Sequence, residues 1–200
     1  MQLSPSLKAY LALAVPMIVS NITTPLLGIV DTSILGHLSH AYLLAGVALA
    51  NTVITAVVWL FGFLRMSTTG LTAQAIGKNN PQQTSQLLVQ GLSIAVVVSL
   101  VLLIIQPWVL QGALWFAEAD VQVNQAATEY FSIRFQALPA SLINLVLVGW
   151  LLAHGKTKAI MLTQIAINLV NVILDLVLVF VFELAVKGVA WASLAAEYTG

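Results

Sequence analysis

The chain has 200 residues, 60% of them hydrophobic and only 7% charged, with seven basic and seven acidic side chains and no cysteine. Its mean hydropathy is +1.00, whereas a water-soluble domain carries about 25% charged residues to cover its surface. Zero formal net charge gives nucleic acid nothing to bind, and the lack of thiols excludes disulfides, iron–sulfur clusters and thiolate metal sites.

A membrane-spanning helix needs about 20 mostly apolar residues, and six stretches meet that demand or begin to. The first covers residues 10–35. Lys8 and the apolar run after it imitate a signal peptide, but the run outlasts the usual core of about 7–15 residues. It also carries Pro16 and Pro25 and meets no small-residue cleavage site, so it reads as a retained span. The second covers 43–64, the third 87–105, the fourth 123–152 and the fifth 159–182. The sixth opens near Gly188 and is still apolar at Gly200, so the sequence reads as a truncated piece of a longer protein. Polar runs punctuate the spans at Gly77-Lys78-Asn79-Asn80-Pro81, Ala117-Glu118-Ala119-Asp120 and His154-Gly155-Lys156-Thr157-Lys158.

Basic loop residues set orientation in membranes, because they are retained on the cytoplasmic side. Lys8, Arg65, Lys78, Lys156 and Lys158 fall on one side of the spans, and Lys187 alone on the other, beside Glu118, Asp120 and Glu183. The N-terminus is therefore expected in the cytoplasm, with the protein multi-pass in the cell inner membrane. Trp108 and Trp115 are expected as anchors at the outer interface and Trp150 at the inner one.

Polar groups inside the spans carry the functional information, because a charge at a helix centre costs about 2.5–3.5 kcal/mol on insertion scales. Asp31 lies in the outer part of the first span, which is about 39 Å long at 1.5 Å per residue. There it either serves a function or sits solvated or paired near the helix end. In the fifth span Gln164, Asn168, Asn171 and Asp175 step by four, three and four residues, which puts them on one face of a helix. Such a stripe must face protein, water or an ion. The amides also suit a hydrogen-bonded seam between helices, whereas Asp175 requires a cation, a proton or a wet cavity. Pro16 and Pro25 bend the first span, either as a fixed kink or as one that changes between states. Arg134 in the fourth span is expected as an anchor whose long side chain reaches the outer interface, since Glu129 is not on its face. His37 and His40 are three apart but lack a third ligand, so no metal site is expected. Phosphate loops, nucleophile elbows and zinc-protease signatures are absent, and no enzymatic activity is expected.

The run Leu26-Leu27-Gly28-Ile29-Val30-Asp31-Thr32-Ser33-Ile34-Leu35-Gly36-His37-Leu38 resembles the first helix of the multidrug and toxic compound extrusion (MATE) family. The segment from Gly62 to Ala75 looks like the end of its second helix in the DinF-like branch. Asn171-Val172-Ile173-Leu174-Asp175 is similar to the fifth-helix motif, and Gly188-Val189-Ala190-Trp191-Ala192-Ser193 to the start of the sixth. The resemblance implies an all-α transmembrane helix bundle, the six-helix N-lobe of a twelve-helix transporter, with the C-lobe outside this sequence. It maps the family's N-lobe ion site onto Asp31, Asn171 and Asp175, with Ser193 as the candidate sixth-helix hydroxyl, and its bending proline onto Pro16. Gln164 and Asn168 then border the substrate cavity.

The resulting expectation is an antiporter that works by alternating access and exports small amphipathic drug-like compounds in exchange for protons, or alternatively sodium. No cofactor is expected. The partners are the lipid bilayer and the C-terminal lobe of the same protein, which is read as a monomer. Two carboxylates sharing a low-dielectric cavity repel each other, which favours proton uptake by one of them. Proton binding then biases two structures that differ in affinity for it. A lipid-precursor flippase of the same superfamily is one rival, although only Arg134 offers a basic cavity group. A non-transporting scaffold, in which the polar stripe is mere packing, is another.

Overall fold

The computed structural model describes residues 41–200 together with 11, 14–19, 22 and 36. Asp31, Pro25, His37 and His40 therefore lie outside the described residues, and residues 14–19 are helical. From there the order is α1 (Ala41–Leu60), α2 (Phe63–Gly77), α3 (Pro81–Ala117), α4 (Val121–Arg134), a 3-10 turn (Phe135–Ala137), α5 (Leu138–Ala153), α6 (Thr157–Asp175), a π-helical segment (Leu176–Val181) and α7 (Ala185–Glu197). No strand occurs among the described residues. Among the described residues four helical stretches are long and apolar enough to cross a membrane: Ala41–Gly77, Pro81–Ala117, Val121–Ala153 and Thr157–Val181.

Helices dominate because a bilayer interior offers no water, so each segment must satisfy its own backbone groups. Hydroxyls follow the same rule by bonding back to the preceding turn. Thr52 donates to the Ala48 carbonyl at 2.8 Å and Ser93 to the Val89 carbonyl at 2.8 Å.

The helices extend beyond the apolar stretches read from the sequence. α3 begins at Pro81, ahead of the apolar run, since its first turns are Gln82, Gln83, Ser85 and Gln86, whose side chains tolerate both helix and water. Its start is capped by Asn80, whose side chain accepts from the Gln83 amide at 3.0 Å, with Pro81 at the first position where no amide is needed. α2 stops in a left-handed cap on Asn79 (φ 51), with Asn79 N–H bonded to the Ile76 carbonyl and Asn80 N–H to that of Ala75. Those polar residues lie where the sequence reading placed a loop.

Two spans are interrupted. α1 passes into α2 through a tight turn at Phe61 and Gly62. α4 passes into α5 through the 3-10 turn because Pro139 lacks the amide that an α-helix would bond to the Phe135 carbonyl. The Leu138 amide takes that carbonyl instead, in the tighter 3-10 pattern.

The bundle core gathers around the second half of this broken span. Phe131 and Phe135 are buried with ring centroids 4.7 Å apart, Leu138, Leu142 and Val146 continue the buried row towards Gly91 of α3, and Val189 and Ala190 of α7 belong to the same core. Small residues bring helices together, as they do in membranes. At Gly46 a Cβ would stand 2.6 Å from the Ala126 Cβ and 2.8 Å from the Val123 carbonyl oxygen. At Gly149 it would stand 2.7 Å from the Arg65 carbonyl oxygen, and the freed approach lets Thr69 donate to the Gly149 carbonyl at 3.1 Å. The exterior is apolar instead, with Ile94, Val97, Ile104, Leu162, Leu169 and Ile173 all exposed. That inverted surface suits lipid.

Trp108 and Trp115 project outward. Trp150 packs against His154. Its ring lies 3.9 Å from that of His154, and His154 Nδ1 is 2.8 Å from the Trp150 carbonyl oxygen.

Candidate functional site

The four polar residues of α6 rise along one face, from half-buried Gln164 and Asn168 to fully buried Asn171 and Asp175. The opposite face carries Leu162, Ile165, Leu169 and Ile173, all exposed. The spacing of the stripe thus turns its amides and carboxylate into the bundle and its aliphatics outward.

The stripe divides in two. At its lower end Gln164 donates through Nε2 to Asn168 Oδ1 at 3.1 Å. Gln164 also borders a cavity of about 440 Å³ whose wall includes Met17, Arg65, Asn144, Trp150 and Glu197. The walls are largely aliphatic, with polar groups at a few points, the pattern of a site for amphipathic molecules. At the upper end Asn171 Nδ2 donates to Ser193 Oγ of α7 at 3.2 Å. Asp175 lies one turn further, with its side chain fully enclosed. Two helices therefore bring an amide, a hydroxyl and a carboxylate into the same buried region. Such oxygen-rich groups can bind a proton or a hard cation.

The chain immediately after Asp175 widens into the π-helical segment, a form that recurs at functional sites in helices. Of the residues singled out from the sequence, Asn171 and Ser193 are in contact, Asp175 adjoins them on α6, and Gln164 and Asn168 form the separate lower pair. Pro16 is buried within the helical stretch 14–19. Asp31 lies outside the described residues.

A second polar cluster was not anticipated. Arg134, which has no acceptor on its own helix face, ion-pairs through Nη2 with Glu197 Oε2 at 3.2 Å. Asn144 Nδ2 donates to the Glu197 carbonyl at 3.1 Å, and the Tyr198 hydroxyl donates to the Gln136 carbonyl at 3.1 Å. The one signal available in the sequence is that Glu197 follows Ser193 by four residues on one helix face.

The MatE family model matches residues 16–177. The chain is 42% identical over 196 residues to DNA damage-inducible protein F of Escherichia coli K12, covering 98% of this chain and 43% of that protein. It is 29% identical over 178 residues to a probable multidrug resistance protein NorM of Bacillus cereus, covering 88% of this chain and 39% of that one. Its fold superposes on a MOP superfamily transporter from Pyrococcus furiosus with a TM-score of 0.88 at 22% identity, over 96% of this chain and 42% of that one. The chain thus spans about two fifths of the length of these relatives. MATE family members are transporters and not enzymes, and they need no cofactor. With its bundle of apolar helices and inward polar stripe, the chain belongs to the MatE family of multidrug and toxic compound extrusion transporters, as part of the N-terminal lobe.

Proposed function

We propose that the whole protein is a multidrug efflux antiporter of the cell inner membrane that exports amphipathic compounds in exchange for protons. The single observation that carries the reading is the part-buried Asn171–Ser193 contact beside fully buried Asp175, on a helix whose opposite face is apolar. A carboxylate there is too costly to keep for packing alone. Asp31 joins these three as the coupling site. The resemblance of the run 26–38 to the first helix of the family supports it.

Gln164 borders the cavity that receives the exported compound, with Asn168 hydrogen-bonded to it one turn further along α6, and Pro16 bends the first span as the two states exchange. A proton arriving from outside neutralises one carboxylate and relieves the repulsion between them. The state with lower drug affinity then gains population, because it binds that proton more tightly. The C-terminal lobe of the whole protein closes the cavity, and one copy suffices for the cycle.

The test is efflux by the full-length protein in everted vesicles. Asp31→Asn keeps the shape and deletes the titrating group, so ethidium binding persists while efflux no longer follows the proton gradient. Normal efflux with normal pH dependence in that variant overturns the site. If sodium is the coupling ion, added sodium competes with protons for the same carboxylates and accelerates efflux at constant pH.

A further inference from the structure

Residues 197 and 198, at the end of α7, are held by three separate groups of the fourth span. Arg134 supplies the ion pair to the Glu197 carboxylate, Asn144 the amide to the Glu197 carbonyl, and Gln136 the carbonyl that receives the Tyr198 hydroxyl. Arg134 immediately precedes and Gln136 belongs to the break in that span at Phe135–Ala137, and Asn144 lies about two turns beyond it in α5. On the other side, Ser193 lies four residues before Glu197, about 6 Å along the helix axis. A helix of this length moves as a rod, so whatever fixes Glu197 also fixes Ser193.

We propose that Arg134 and Glu197, assisted by Asn144, form a tether from the fourth span that positions Ser193 against Asn171. The margin for error is small. The Asn171–Ser193 contact is 3.2 Å, already at the long end of hydrogen-bond geometry. Sliding or rotation of α7 by about half an ångström to an ångström breaks it. Arg134 is the donor suited to this task, because its planar guanidinium stays charged and holds a carboxylate in a defined orientation. The ion pair is half-buried, with side-chain exposures of 16% and 23%, so water screens it only in part. Toward the Asn171–Ser193 contact both act as positioning residues, Glu197 also bordering the cavity, and their link to coupling rests on the function proposed above.

Spin labels at Leu169→Cys on α6 and Trp191→Cys on α7, both exposed positions, report the separation of these helices in the full-length protein. Breaking the tether with Glu197→Gln shifts or broadens that distance by about 1–2 Å, the scale of helix displacements in switching proteins. The swapped pair Arg134→Glu with Glu197→Arg restores it. In efflux, Glu197→Gln alters the pH profile in the same direction as Ser193→Ala, and the double variant goes no further than the larger single change. An unchanged distance in folded Glu197→Gln overturns the tether, as does full additivity with Ser193→Ala. If Glu197→Gln does not accumulate, the swapped pair decides: folded protein with the native distance supports the tether, and absence of folded protein refutes it. A distance that responds in a protein with no efflux upholds the tether and rejects the transport reading.

Discussion

Asn171 and Asp175 stand one turn apart on α6 and are both enclosed, yet their substitutions should differ in kind. Asn171→Ala deletes one neutral donor to Ser193, a contact whose net worth is about 0.5–1.5 kcal/mol. Its expected result is slower efflux with the pH dependence retained. Asp175→Asn is nearly isosteric but removes the charge, so it should abolish the response to pH while folded protein accumulates normally. Efflux assays across external pH distinguish the two, and equal defects in both variants contradict the division of labour. At this scale the residue types of the stripe were legible, because a polar side chain in an apolar run announces itself. Partners were not. Ser193 is 22 residues from Asn171, and Glu197 is 63 from Arg134, so neither pairing follows from local spacing.

Helix extents and helix crossings belong to the next scale. The apolar runs located the cores of the helices, but the ends were decided by caps such as Asn80 and Asn79, whose polar character the hydropathy of a span does not register. Crossings depend on what faces a small residue, which only packing reveals. Gly149→Ala forces a methyl to within 2.7 Å of the Arg65 carbonyl oxygen and disturbs the Thr69 bond. Its expected cost is about 1–3 kcal/mol, the range for overpacking, read as a lower melting temperature in detergent. Gly70→Ala is the control, since nothing lies within 4 Å of its added methyl. It should leave stability unchanged or raise it by up to about 1 kcal/mol, through helix propensity. Equal losses in the two variants contradict the close crossing. Pro16 poses the matching question for the first span. If its bend alternates during transport, Pro16→Ala should slow efflux without reducing folded protein, and unimpaired efflux relegates Pro16 to packing.

The whole molecule carries an orientation, and α3 offers the means to test it. At 37 residues it is about 55 Å long, so the loops at its two ends must emerge on opposite sides of a bilayer. Glu118→Cys lies beyond one end, and Gly77→Cys before the other at a site with open space around it. An impermeant maleimide applied to intact cells should label the first and spare the second; the reverse result inverts the orientation read from the basic loops. The sequence by itself determined that this is an all-α membrane bundle, because composition and apolar run length reflect the cost of leaving backbone groups unpaired in lipid. It also determined that α6 has one polar face, since a helix repeats every 3.6 residues whatever surrounds it. Only the tertiary structure decided that this face splits into a Gln164–Asn168 amide pair, of which Gln164 borders the cavity, and a buried Asn171–Asp175 group, and that α7 is held at Arg134. Those outcomes depend on how close two helices can approach. That distance is set by side chains far apart in the chain, such as Gly46 against Ala126 and Gly149 against Arg65, which no local period encodes.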